Sequence, residues 1–323
     1  MLEKEINDVH IVGVRKGEEH FYLLFRDKTL SLINHAEQIV NEYSEMGYVL
    51  TLRQLYYQFV ARDILPNNYR SYKNLGETIN NARLSGLISW EAIVDRTRNL
   101  QSFETFDSVK QMIESMVDDY NRSLWDNIPI YVEVWVEKDA LIDVVSKACS
   151  EYQINHFSTR GYCSSTEVWN ASQRFKHYTE IGHQVQIIHL SDHDPSGIDM
   201  TKDLNLRLRS VFSVPVRVRR LALTMEQIEQ YQPPPNPVKQ TDSRCPDYQQ
   251  KYGDESWELD ALPPNVISDL IKDKIEFTLG EANIKKIKKT KLLIEEERKQ
   301  LVSLVDNFAS VTNHLKRIPK RKK

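Results

Sequence analysis

The sequence predicts an α/β protein with a mostly helical N-terminal part and a helical, basic C-terminal tail. Three observations predict it. Between residues 128 and 224, β-branched apolar runs alternate with helix-period runs, the pattern of a parallel sheet covered on both faces. Before residue 100, apolar residues recur at three- and four-residue spacing. From Glu281 to Lys323, 13 Lys or Arg stand against 5 Asp or Glu, although the whole chain carries a net charge of −3. Such a basic tail suits phosphate contact, and it equally suits a solvated helix.

The elements follow in order. Residues 21–47, FYLLFRDKTLSLINHAEQIVNEYSEMG, read as a helix stopped at Gly47, so residues 1–50 are expected to form a helical extension. Residues 51–60, TLRQLYYQFV, begin a compact helical or winged-helix module. Thr51 and Gln54 make a capping box. Leu52, Leu55, Tyr56 and Phe59 then form a core-facing stripe, which leaves Tyr57 on another face beside Arg53, four residues earlier. A tyrosine next to a guanidinium is a chemical candidate: the cation favours phenolate and can hold a phosphate bidentately. It is also an ordinary surface cation–aromatic pair.

IPIYVEVWVEK is a strand, ALIDVVSKACSEY a helix and NHFSTR a short strand. A capping box at Ser164–Glu167 starts the next helix. HQVQIIHLS is a strand, SGIDMTKDLNLRLRSVF a helix and PVRVRRLAL a strand. Thr224 and Gln227 cap a further helix, QPPPNPVKQTDSR reads as a rigid connector, and the remainder is helical.

Composition bounds the function. With 40% apolar and 28% charged residues, the chain suits a soluble globular protein of about two domains. No apolar run approaches membrane-spanning length, and the opening MLEKEINDVH is too polar for a secretory signal. Cys149, Cys163 and Cys245 are scattered, without metal spacing or a disulfide framework, so a reducing cytoplasm is expected.

The chemistry is expected where strands end. In an open parallel sheet, ligands bind beyond the carboxyl ends of the strands. Glu137 closes one strand, and Asp192 and Asp194 close another. Period-two geometry points Asp192 and Asp194 the same way, and three hard oxygen donors suit Mg²⁺. Gly197 permits a tight turn or a close backbone approach. Alone, SDHDPSG is also ordinary turn chemistry. His193 reads as a spacer with an outer role open, and Asp199 as an early helix charge.

VEVWVEKDAL and HLSDHDPSGIDM resemble the two metal motifs of a Toprim domain, closest in form to the topoisomerase VI A subunit and the meiotic double-strand-break transesterase. STRGYCSSTEVWNASQRF between them and the segment from RLALTMEQIEQYQPPPNPVKQTDSRCPDY to SWELDAL are also similar, so the resemblance covers residues 130–262. It implies a winged-helix-like domain at 51–125 and a Toprim domain at 126–262, whereas the helical basic tail expected at 263–323 departs from the family. It implies that Tyr57 is the nucleophile, assisted by Arg53, and that Glu137, Asp192 and Asp194 hold Mg²⁺, with Mn²⁺ as a substitute. It also implies double-stranded DNA as substrate, a 5′-phosphotyrosyl intermediate, and a homodimer in which the tyrosine of one protomer meets the metal site of the other. Lys138, Arg83, Arg96 and Arg98 are candidate contacts to DNA phosphate, and Trp90 is expected in the core. The chain has no GxxxxGK[ST] loop, so either an ATPase B-type subunit is a separate polypeptide or this is a stand-alone form of the A subunit. The alternatives are a hydrolytic Toprim nuclease and a non-catalytic DNA-binding subunit.

Overall fold

The computed structural model describes residues 5–6, 9–12, 23–94 and 105–317. The chain divides into two compact units, Met1–Arg98 with Ile130–Lys274, and Asn99–Pro129 with Ile275–Lys323. In the first unit, β1 (Glu5–Ile6), β2 (Val9–Val12) and β3 (Leu23–Arg26) form an antiparallel sheet. The helix expected from residue 21 therefore starts later, as α1 (Asp27–Glu45), because Leu23–Arg26 pairs along the whole of β2. The N-terminal extension is a sheet plus a helix, not a helix alone. Gly47, with φ +76°, ends α1 as expected.

Helix α2 (Leu52–Ala61) begins at Thr51 with the expected capping box. Helix α3 (Tyr69–Leu84) begins at Asn68, whose side chain accepts from the Ser71 amide. Ile33, Ile39, Leu55, Phe59, Leu75 and Ile79 of α1–α3 share one apolar core. Helix α4 (Val109–Asp119) belongs to the second unit.

The predicted parallel sheet is present. It comprises β4 (Ile130–Val136), β5 (Asn155–Ser158), β6 (Gln184–Leu190) and β7 (Arg217–Ala222), in the order β5-β4-β6-β7, with every pair parallel. Helices α5 (Ile142–Ser150), α6 (Ser165–Glu180) and α7 (Pro195–Leu206) connect its strands. β4 is buried on both faces, as a central parallel strand should be. Its one carboxylate, Glu133, is satisfied by Tyr131, by Trp135 and by two nitrogens of Arg174. The β4–β6 register runs from Ile130↔Gln184 to Val136↔Leu190, so Glu137 and the Ser191–Asp194 segment leave the sheet side by side. Lys147 of α5 donates to the carbonyls of Met46 and Gly47 at 3.0 and 2.9 Å, tying the sheet to the end of α1.

After α8 (Met225–Tyr231) the proline-rich connector is more than a spacer. Its β8 (Asn236–Pro237) pairs antiparallel with β9 (Glu255–Ser256) across the short α9 (Cys245–Tyr252). A 3-10 turn at Leu259–Ala261 follows and contacts α2. Helix α10 (Pro264–Asp306) runs from the first unit into the second and leaves helical geometry at Gly280. The second unit comprises α4, the rest of α10 and α11 (Phe308–Arg317), with Arg298 donating to the carbonyls of Asp118 and Tyr120. The basic tail is helical through Arg317; residues 318–323 lie outside the described part. No described helix is long and apolar enough to cross a membrane.

Gly197 settles one open expectation. A Cβ there would lie 2.2 Å from the Asp192 carbonyl oxygen, so the residue serves close backbone approach. The clash is with backbone, and the Gly197 carbonyl is itself fixed by the Ser191 hydroxyl. Gly197→Ala is expected to destabilise the protein by about 2 kcal/mol or more, read as a fall of roughly 5 °C or more in the thermal unfolding midpoint.

Candidate active site

The ends of β4 and β6 place three acids together, though not equivalently. Glu137 Oε2 accepts from the Asp192 amide at 3.0 Å. Burial and the neighbouring Asp192 carboxylate push Glu137 up to about 7. Asp192 Oδ1 accepts from the Leu259 amide at 2.8 Å, and its Oδ2 meets Lys138 Nζ at 2.9 Å. Burial raises the Asp192 carboxyl, and Lys138 opposes that rise. Asp194 caps α7, accepting from the Gly197 amide at 2.6 Å. Asp192 and Asp194 line one cavity of about 260 Å³, as their two-residue spacing predicts. Glu137 stands behind Asp192 and does not line it.

Among the described residues, no group of three or more His, Cys, Asp or Glu side chains is arranged to hold a metal ion. The expected three-acid ligand set is therefore reduced to two acids that line one cavity. That pair still suits Mg²⁺, which keeps several waters and takes one or two protein carboxylates.

Lys138 is not a free cation directed at DNA. Its ammonium donates to Asp192, Glu258 and Asp260, each at 2.9 Å. Burial would lower its basicity, but Asp260, Asp192 and Glu258 hold it well above the usual lysine range. Burial would likewise raise Glu258, but Lys138 and Arg53 overcome this and bring it down to about 2. Glu258 and Asp260 escaped the sequence reading. The backbone delivers them: His193 and Trp257 form an antiparallel bridge, with amide-to-carbonyl distances of 2.8 and 3.0 Å, that lays SWELDAL along the end of β6. The available signal was a second acid-x-acid spacing, 258 and 260, matching 192 and 194.

Helix α2 supplies the other half. The Arg53 guanidinium pairs with Glu258, and its Nε lies 3.3 Å from Asp260 Oδ2. Its carbon is 5.9 Å from the centre of the Tyr57 ring. The helical stripe predicts Tyr56 in the core and Tyr57 on another face beside Arg53; both are buried, at 4% and 3% exposure. The α2 helix is covered on nearly every side because the 3-10 turn packs on the face that an isolated helix would leave open. Their hydroxyls differ. Tyr56 donates to the Pro66 carbonyl at 3.1 Å and accepts from the Asn68 amide at 2.8 Å, a structural anchor for the α2–α3 loop. The Tyr57 hydroxyl interacts with Glu258. Burial, then Glu258 and Asp260, raise its pKa far above the usual tyrosine value, with Arg53 and Asn236 only partly offsetting them. The phenol is held neutral. The resemblance implies a tyrosine acting on another protomer's acids; here Arg53 and Tyr57 join the acid cluster of their own chain.

The remaining expectations resolve as follows. Arg83 donates to the carbonyls of Trp90 and Ile93 and packs over the Trp90 ring at 5.5 Å, so it holds a loop and is not free for phosphate. Trp90 is 52% exposed, not core. Arg96 and Arg98 lie outside the described residues. His193 is a buried anchor: its ring meets the Tyr248 hydroxyl at 2.8 Å among Tyr252 and Trp257, and burial lowers it to about 4. Asp199 receives the Tyr162 hydroxyl at 2.6 Å and pairs with Arg244.

The Glu137 shift has a testable sign. Its folded-state value, about 7, exceeds the ordinary glutamate value of 4.5. The unfolded chain therefore ionises first, and stability falls as pH rises through that window, by roughly 3 kcal/mol in all. Glu137→Gln removes this loss. In EDTA it is expected to raise the unfolding midpoint by roughly 5–10 °C at pH 8 and to change it little at pH 4.5. Differential scanning calorimetry at the two pH values checks this.

No protein-family model and no curated protein matches this chain, so the chemistry of its own residues has to carry the functional assignment.

Proposed function

We propose that the chain is a Mg²⁺-dependent DNA transesterase of the type its motifs resemble, a winged-helix-like module joined to a Toprim-like sheet. One observation carries the reading: Arg53 and Tyr57 of α2 meet Lys138, Asp192, Glu258 and Asp260 of the sheet end in one network. A phenol, two cations and a divalent-ion site within one cluster are what phosphodiester transfer to tyrosine requires.

In this reading the Tyr57 oxygen attacks a backbone phosphorus, a P–O(Tyr) bond forms, and the bond to the 3′ sugar oxygen breaks. Arg53 leaves Glu258 to take the phosphate oxygens. Glu258 then loses one of the two cations that hold its value near 2, becomes more basic, and receives the phenol proton. The departing 3′ oxygen takes a proton from solvent to become a hydroxyl, and the product is a 5′-phosphotyrosyl link, which that hydroxyl reverses. Asp192 and Asp194 would hold Mg²⁺, or Mn²⁺ in its place, with Glu137 positioning the Asp192 backbone. When bound, the ion supplies charge neutralisation at the leaving oxygen. A two-fold dimer would present two such sites to the two strands of a duplex, and an ATPase subunit would be a separate chain.

The burial of Tyr57 favours a second reading, a hydrolytic nuclease in which Tyr57 is structural and an ion-activated water attacks. Denaturant trapping after incubation with supercoiled DNA and Mg²⁺ separates the two. Transesterification is expected to leave protein covalently on 5′ DNA ends, with Tyr57→Phe at background and Arg53→Ala lowered about 10²-fold. Strand scission without adduct, unaffected by Tyr57→Phe, would establish hydrolysis. Binding with no scission in Mg²⁺ or Mn²⁺ would show a non-catalytic subunit.

A further inference from the structure

A cavity of about 200 Å³ opens beside the Tyr57 ring; Arg53, Tyr57 and Glu258 of the proposed chemistry form one side of it, and the proposed chemistry makes no use of the rest of its wall. Four of its lining side chains are aromatic: Tyr56, Tyr57, Tyr69 and Tyr72. Its two charges, Arg53 and Glu258, are paired with each other, so the lining as a whole is neutral. The wall is also braced: Asn67 Nδ2 donates to the Pro235 carbonyl at 2.8 Å and to Asn236 Oδ1 at 3.0 Å, joining the α2–α3 loop to the start of β8. Tyr72 is held edge-on to Tyr56 with ring centres 5.3 Å apart. Tyr69 differs from all of these. It is the first residue of α3, is 80% exposed, and makes no hydrogen bond or ring contact among the described residues.

A neutral, aromatic, pre-formed recess suits a neutral planar ligand. We propose that it receives one unstacked nucleobase from the strand whose phosphate reaches Arg53 and Tyr57, with Tyr69 as the stacking face at the rim. The substrate class is then DNA carrying an unpaired base at the cleavage point, in preference to uniform duplex. This inference rests on the transesterase reading for the identity of the strand. Its physical basis is separate: base–aromatic stacking is indifferent to sequence and demands an extruded base.

The experiment measures binding alone, with the full chain in Ca²⁺ and fluorescence anisotropy as readout. The probes are a short single-stranded deoxyoligonucleotide, the same oligonucleotide with one abasic position moved along it, and a blunt duplex. Tyr69→Ala is expected to weaken single-strand binding about tenfold and leave duplex binding unchanged, while Tyr69→Phe stays within about twofold of wild type. One abasic position should weaken wild-type binding and have no further effect in Tyr69→Ala. Equal single-strand affinity for Tyr69→Ala and wild type, an equal loss on both DNAs, or no single-strand binding by the wild type would each overturn the proposal. If the transesterase reading fails, the Tyr57 adduct is missing while these affinities keep their pattern. If only the base pocket fails, Tyr69→Ala still forms adduct at the wild-type rate on every DNA.

Discussion

The site is organised around one partly buried ammonium. Lys138 Nζ lies 2.9 Å from an oxygen of each of three carboxylates, Asp192, Glu258 and Asp260, which arrive from two distant chain segments. Isolated ions of this kind are not tolerated in a protein interior; each costs several kcal/mol unless it is paired and hydrogen-bonded. Asp260 is 1% exposed and Asp192 7%. Neither can stay ionised there without a cation at contact distance. Lys138 and Arg53 thus oblige four segments to converge: α2, the residues after β4, the residues after β6, and the 3-10 turn at 259–261.

That requirement fixes the surrounding backbone. The β4–β6 pairing sets Glu137 level with the start of the Asp192 segment, and Gly197 lets α7 approach so closely that the Asp192 carbonyl would collide with a Cβ. The His193–Trp257 bridge carries Glu258 to Lys138, while the aromatic packing around His193 fixes the bridge. A carboxylate pair directed at one cavity and a carboxylate trio directed at one ammonium share Asp192 as their common member. The two arrangements are therefore coupled: what happens to the charge on one side of Asp192 is felt on the other.

Much of this was legible because it is local. Capping boxes at Thr51 and Thr224, the alternation that makes β4 to β7, and the acid-x-acid spacing at the end of β6 are all short-range patterns, and the structure contains each of them. What escaped depends on partners distant in sequence. The stripe on α2 distinguished Tyr56 from Tyr57 by assuming one covered face, but residues some 200 positions later cover the other. Lys138 looked like a surface cation because its three acids lie 54 to 122 residues away. Leu23–Arg26 has helix-like apolar content, and only its pairing with β2 makes it a strand. Single-helix and single-strand periodicity contains no record of what a third element will bury.

The charge balance of the cluster constrains how any phosphate can enter it. Two cations, Lys138 and Arg53, stand against three carboxylates, Asp192, Glu258 and Asp260, leaving a formal charge of −1 before Asp194 or Glu137 is counted. A phosphodiester meets repulsion there, and more so if it draws Arg53 away from Glu258 and Asp260. Under the transesterase reading a divalent cation held by Asp192 and Asp194 would offset that charge, because two added positive charges beside Asp192 would relieve the acids that Arg53 must leave. Glu137 is raised first by burial and then by the Asp192 carboxylate beside it. The order of events then follows from electrostatics: cation before phosphate, phosphate before release of Arg53, and release of Arg53 before Glu258 is basic enough to accept the Tyr57 proton.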